Sequence, residues 1–217
     1  MSGAVVSTGA RRYQERMRIP HHVPRRDDDV FIDLASRNPF NVRILERLDA
    51  LRARDAWLVA GCLCQTVWNI LSDRPAIENI KDYDIFYFDA GDTSYDAEDV
   101  VIKRAAALFA DLDIEIEVRN QARVHLWYEE RFGHKREPLE SSLDGIASFL
   151  VRGTCVAIAT DGNGSYRVAA PHGLDDMFDG VLRANKPVAE RDLYIAKASS
   201  YAARWPWLRV MDWEASE

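Results

Sequence analysis

Two aspartates, Asp82 and Asp84, occupy alternate positions of DYDIFYFD (residues 82–89), a segment whose aromatic and β-branched content marks a strand. Alternate strand residues share a face, so two carboxylates lie side by side while Tyr83 and Ile85 point the other way. Such a pair repels itself unless a cation sits between its members. Mg²⁺ suits that role, because it takes hard oxygen ligands from one or two carboxylates and completes its shell with water and substrate phosphates. The pair alone is a weak signal: with 35 acidic residues in 217, roughly six acid-x-acid pairs arise by chance. Its neighbours along the chain give it weight.

Residues 56–60 (AWLVA) form an apolar run of strand length, Gly61 follows at once, and residues 62–71 (CLCQTVWNIL) turn helical with Leu63, Val67, Ile70 and Leu71 on one side. In this strand, glycine turn and helix, the free N–H groups at the helix start suit phosphate oxygens. Residues 113–119 (DIEIEVR) alternate strictly between apolar and charged, which predicts a strand with Glu115 and Glu117 on one face. A third carboxylate on a neighbouring strand would allow a second ion, the two-metal arrangement that activates an attacking hydroxyl and stabilises a leaving pyrophosphate. Glu117 or Glu115 could supply it. Each feature also has a plain structural role, as an exposed strand face, a tight turn or a solvated edge.

The rest of the chain reads as α+β. Residues 41–53 and 96–110 have helical spacing, and residues 73–81 form a polar loop. Residues 120–133 read as a helix ending at Gly133, although Val124, Leu126 and Tyr128 could equally support a strand. A short helix is predicted near 142–150. TCVAIATD and YRVAAP follow as a hairpin about Gly162, Asn163 and Gly164, then helices near 174–182 and 188–204 and the tail WPWLRVMDW. The expected organisation is a flexible arginine-rich arm over 1–38, a core over 39–139, and a C-terminal α/β extension over 140–217 packed on that core.

With 47% hydrophobic and 29% charged residues the chain can bury a real core. No run of eighteen apolar residues exists, and the first thirty positions hold arginines and histidines where a secretory signal needs an apolar stretch, so a cytoplasmic protein with no membrane role is expected. Cys62, Cys64 and Cys155 are an odd number, two of them in one apolar segment, and read as reduced, buried thiols. A net charge of −7 argues against a surface that neutralises many phosphates of a long nucleic acid and favours a small-molecule or protein partner. The arm, with Arg11, Arg12, Arg16, Arg18, Arg25 and Arg26, is the exception and reads as a solvated tail; His21 and His22 within it lack partners at metal-site spacing.

The segments AGCLCQTVWNIL (60–71), KDYDIFYFD (81–89), EVRNQARVHLWYEERFG (117–133) and APHGLDDMFDGVLRAN (170–185) resemble the bacterial nucleotidyltransferase-like family of the polymerase-beta superfamily, over roughly residues 40 to 210. The run from Asn120 to Trp127 is the most specific part. The resemblance implies a nucleotidyltransferase core, a mixed sheet with flanking helices, that moves a nucleotidyl group from an NTP to an acceptor hydroxyl with two Mg²⁺ ions. By position, Asp82 and Asp84 fall on the metal-binding pair, Glu117 on the third carboxylate, and Gly61 and Cys62 on the phosphate-binding turn, with Thr66 and Lys81 as further candidates for holding the NTP. Asn120, Gln121, Arg123 and His125 are candidate substrate groups; their structural alternatives are a cap for Asn120, a surface salt bridge for Arg123 and a core position for His125. His172 and Asp175 near Gly173 are further substrate candidates, whereas the tryptophans read as core.

Two departures stand out: Cys62 replaces the serine or glycine of the superfamily, and nineteen residues separate Cys62 from Asp82 where about a dozen is usual, which predicts an enlarged loop after the helix. The expectation is a Mg²⁺-dependent nucleotidyltransferase with an unidentified acceptor. A catalytically degenerate module of the same fold, binding nucleotide or protein, is the alternative, and a phosphoester hydrolase using water as acceptor is a third reading.

Overall fold

The computed structural model describes residues 27–161 and 164–216. Its strands in chain order are β1 (Trp57–Val59), β2 (Asp82–Tyr87), β3 (Glu115–Asn120), β4 (Ala157–Thr160), β5 (Tyr166–Ala169), β6 (Val181–Leu182) and β7 (Arg209–Val210). The first five form one sheet in the order β3-β2-β1-β4-β5. β2 and β3 pair in parallel, and the other neighbours are antiparallel, so the sheet is mixed as expected. The parallel pair requires a crossover, and the helix α4 over Tyr95–Leu108 supplies it.

The faces of β2 differ as its sequence alternation demands. Tyr83, Ile85 and Tyr87 are buried, while Asp82, Asp84 and Phe86 on the other face keep partial contact with solvent. The buried face is held from the N-terminal side by α1 (Asp28–Ser36) and α2 (Pro39–Arg47). Asn38, between these helices, accepts from the Phe40 amide at 2.9 Å and donates to the Tyr83 hydroxyl and to Thr66 Oγ1, each at 3.1 Å. Pro39 follows it at the first helical position, where its missing N–H costs nothing.

The first ordered element starts earlier than the sequence reading places it. α1 lies within the stretch read as a flexible arm: Asp27 caps it by accepting from the Val30 amide at 3.0 Å, Asp28 and Asp29 complement its dipole, and Phe31, Leu34 and Ala35 are buried. The six arginines and two histidines of the arm lie outside the described residues.

The second half of the chain completes the same sheet. Helix α3 (Gly61–Leu71) follows β1, α5 (Val124–Phe132) follows β3 and ends at Gly133 with φ 80°, and α6 (Ser142–Ile146) leads towards β4. Ser142 ties α6 back to the turn before β1 through its amide to Asp55 Oδ2 (3.1 Å) and its hydroxyl to Asp55 O (2.7 Å). β4 and β5 form the expected antiparallel pair, although Gly162 and Asn163 of the connecting turn lie outside the described residues.

The helix expected near 174–182 is only the single turn α7 (Asp175–Phe178). Gly180 takes φ 65° and ends it, and the next residues become β6, paired in parallel with β7 from the tryptophan-rich tail. Helix α8 (Arg191–Arg204) packs through Tyr194, Ala198 and Tyr201, an i, i+4, i+7 stripe. Trp68 and Trp205 are fully buried, with indole N–H bonds to Met177 O (3.0 Å) and Asn69 Oδ1 (2.8 Å), as the core reading of the tryptophans expects. No helix among the described residues is long and apolar enough to cross a membrane.

Candidate active site

Strand register brings the carboxylates together. Across the parallel pair Asp82 faces Glu115 and Asp84 faces Glu117, so four acidic side chains share one face of the sheet. Glu115 is exposed at the rim, whereas Glu117 is half-buried next to Asp84. Neither Asp82 nor Asp84 has a hydrogen-bond donor or a direct ion pair for its carboxylate among the described residues. Burial, then the charges of Asp82 and Glu117, push the Asp84 carboxyl from 3.8 up to about 7, opposed only by the charges of Lys197 and Arg119.

Glu117 is held differently, by Arg119 two residues on, with 3.0 Å between Arg119 Nη2 and Glu117 Oε2. No group of three or more His, Cys, Asp or Glu side chains among the described residues is gathered as a metal-binding cluster. The donor set nevertheless fits a hard divalent cation: two unpartnered carboxylates, one of them with its proton affinity raised by burial and by its acidic neighbours, are relieved by positive charge between them.

The glycine turn adjoins this face through β1, whose Val59 pairs with Asp84. Ala60 takes φ 50° and ψ −107°, a conformation costly for a residue with a Cβ, and its carbonyl accepts from the Leu63 and Cys64 amides at 3.0 Å each. The amides of Gly61 and Cys62 are left at the helix start without intrahelical acceptors. A Cβ on Gly61 would come within 3.0 Å of Gln65 Nε2, so the glycine admits the Gln65 amide beside the turn.

Cys62 and Thr66 are turned inward. Cys62 is fully buried with its thiol 3.5 Å from Val59 O, and burial, then the Asp84 charge, raises the thiol well above its ordinary range. Thr66, also fully buried, donates to Cys62 O at 2.6 Å. Lys81 is exposed immediately before β2.

The candidates after β3 serve as a clasp. Asn120 Oδ1 accepts from the Asp89 and Ala122 amides at 3.0 and 3.1 Å, and its Nδ2 donates to Asp89 O at 2.8 Å, joining the ends of β2 and β3 and capping the turn Gln121–Arg123. Glu98 accepts from the Asn120 amide at 2.8 Å and pairs with the Arg123 guanidinium, which also donates to Thr93 O at 2.7 Å. This pair is buried, not the surface bridge that the sequence allowed. Gln121 is buried against Gly145, and His125 is half-buried with no partner for Nδ1. His172 sits elsewhere, 3.3 Å from Ala147 O, and Asp175 opens α7.

The sequence reading missed the cations of α8. Arg204 donates to Gln65 Oε1 at 2.8 Å and lies over the Tyr201 ring at 5.2 Å, while Lys197 lies over the same ring at 5.2 Å. The longer loop between α3 and β2 is folded against this helix: Asn69 donates to Ala76 O (3.2 Å) and Glu78 O (2.8 Å), and Arg74 to Arg204 O (2.7 Å). The 197, 201, 204 spacing places these groups along one helix side, the signal that a helical reading of 188–204 contained.

A comparison of folds finds an NMR structure described as revealing a CCA-adding enzyme head domain, with a TM-score of 0.68 and 20% identity, covering 90% of this chain and 100% of the other. At that identity the likeness concerns the fold, and it agrees with the α+β architecture described above. No curated protein matches the sequence. Residues 46–210 match the nucleotidyltransferase family, a span that includes β1 to β7, the glycine turn and all of the carboxylates, and the chain therefore belongs to that family.

Proposed function

We propose that the protein is a Mg²⁺-dependent nucleotidyltransferase that moves a nucleoside monophosphate from an NTP to an acceptor hydroxyl. The observation that carries this reading is the pair Asp82 and Asp84, adjacent, without a neutralising partner, and next to Glu117 across the strand pair. Asp82 and Asp84 would hold the cation, and Glu117 would join them on releasing Arg119. Bound there, Mg²⁺ would supply charge neutralisation for the phosphates and lower the cost of deprotonating the acceptor hydroxyl. The chain's own part is positioning: the amides at Gly61 and Cys62 face phosphate oxygens, and the rigid β2–β3 register fixes the carboxylates. The acceptor is a small molecule or a protein hydroxyl, in keeping with the net charge of −7.

A second reading, a binding module without turnover, is favoured by the inward Cys62 and by the Arg119 bond that occupies Glu117. Calorimetric titration of each NTP with Mg²⁺ and with EDTA, on wild type and on the Asp82→Asn, Asp84→Asn double variant, tests the first reading. Metal-dependent binding that the double variant loses supports it, and pyrophosphate release on adding an acceptor distinguishes transfer from mere binding. A folded wild type that binds no NTP refutes it.

A further inference from the structure

We infer that the cleft between the start of α4 and helix α5, at the end of β3, is the acceptor site, and that the acceptor is a small hydroxylated molecule bearing a carboxylate or phosphate group. This rests on the nucleotidyl-transfer reading and names the class of molecule that the reaction consumes. The cleft offers about 550 Å³, within the roughly 300 to 1,000 Å³ usual for small-molecule sites.

Three guanidinium groups line it, from Arg119, Arg123 and Arg131, against two carboxylates, Glu98 and Glu130. In a chain of net charge −7 that local excess of cations selects an anion. The rings of Tyr95 and Trp127 complete the walls, with Arg123 5.7 Å from the centre of the first and Arg131 6.0 Å from the centre of the second. Guanidinium groups stacked on rings keep their N–H edges for carboxylate and phosphate oxygens. Arg123 is built into the wall: it is 9% exposed, paired with the buried Glu98 and bonded to Thr93 O at 2.7 Å. Its Nη2 has no acceptor among the described residues. An unmet donor on a buried guanidinium at a cleft wall is a place for a ligand oxygen.

Arg119 joins the cleft to the carboxylate face. It lines the cleft, yet its Nη2 lies 3.0 Å from Glu117 Oε2, and Glu117 stands opposite Asp84. An anion in the cleft competes with Glu117 for Arg119, and a cation at the carboxylates competes with Arg119 for Glu117. Each therefore favours the other, so acceptor and metal bind cooperatively. In the transfer step the acceptor's hydroxyl oxygen bonds to the α-phosphorus, the bond to pyrophosphate breaks with its electron pair, and the hydroxyl proton passes to water.

The test titrates 4-hydroxybenzoate and phenyl phosphate, with neutral 4-hydroxybenzamide as control, into the full chain in Mg²⁺ and in EDTA. Fluorescence of Trp127, isolated by difference from a Trp127→Phe variant, reports binding. Wild type is expected to bind both anions and not the amide, and to hold the anions about fivefold or more tightly in Mg²⁺. Arg119→Met is expected to weaken them about tenfold or more and to remove the metal effect. Arg131→Met, a change at an exposed side chain, is expected to weaken them with the metal effect intact. A folded wild type that binds neither anion, or binds the amide equally well, overturns the assignment, as does anion binding that both arginine variants leave unchanged. NTP is titrated alongside: NTP binding without anion binding overturns the acceptor site and leaves the transfer reading standing. Anion binding by a wild type that binds no NTP overturns the acceptor role together with that reading.

Discussion

Asp84→Asn tests whether the carboxylate pair is a functional strain or a structural element. Asp84 titrates near 3.8 in an ordinary setting and at about 7 in the fold, with burial the first cause and the charges of Asp82 and Glu117 next. Below 3.8 both folded and unfolded chains carry the proton and no stability is lost. Between 3.8 and about 7 the unfolded chain releases its proton while the folded one keeps it, so stability falls as pH rises, and above about 7 the loss is complete. A raised proton affinity costs about 1.4 kcal/mol for every pH unit of that window, giving about 4 kcal/mol across it. Solvent contact of the half-buried side chain reduces this to about 2 kcal/mol. No hydrogen bond is lost in exchange, because the Asp84 carboxylate has no donor among the described residues. In urea unfolding followed by tryptophan fluorescence in EDTA, Asp84→Asn should exceed wild type by about 2 kcal/mol at pH 8 and match it within about 0.5 kcal/mol at pH 4. Mg²⁺ should narrow the gap at pH 8 by stabilising wild type alone. A variant less stable than wild type at pH 8, or a gain that does not vary with pH, refutes the reasoning.

The clasp after β3 gives a second prediction. Arg123→Met leaves Glu98 charged in a buried position and should cost about 3 to 5 kcal/mol, of which a Glu98→Gln change added to it recovers a large part; equal stabilities of the single and double variants in urea would count against a buried ion pair. Gly180→Ala places a Cβ 2.2 Å from the Trp207 ring at a residue with φ 65°, and overpacking with backbone strain should cost about 2 to 4 kcal/mol; a melting temperature within a degree of wild type would show that the ring yields freely.

The carboxylate face was legible because strand alternation is a period-two code that sequence states directly. DYDIFYFD and DIEIEVR each announce which side chains share a face, and the structure needed only to set their register. That register was not legible. Glu115 and Glu117 have the same parity, and the crossover through α4 decides that Glu117 stands opposite Asp84. The residues after β3 were ambiguous for a related reason. Asn, Gln, Arg and His are equally able to hold a substrate or to close a backbone, and only the partners distinguish the two. Asn120 meets Asp89, and Arg123 meets Glu98, both distant in sequence.

The helix that borders the glycine turn was hidden because it comes from the far end of the chain. A helical stripe predicts that Tyr194, Ala198 and Tyr201 are buried, but not what they are buried against. The answer lies in the enlarged loop that the sequence predicts, the long stretch between Cys62 and Asp82. Its carbonyls at Ala76 and Glu78 are gathered by Asn69, whose Oδ1 accepts from Trp205, while Arg74 and Arg204 bind across the same gap. The added length is therefore the seat that docks α8 beside the glycine turn. A shortened loop would remove these acceptors and leave Asn69, buried at 0% exposure, to lose them together. The insertion and the C-terminal helix are on this reading one device, which sets Arg204 against Gln65 beside the glycine turn.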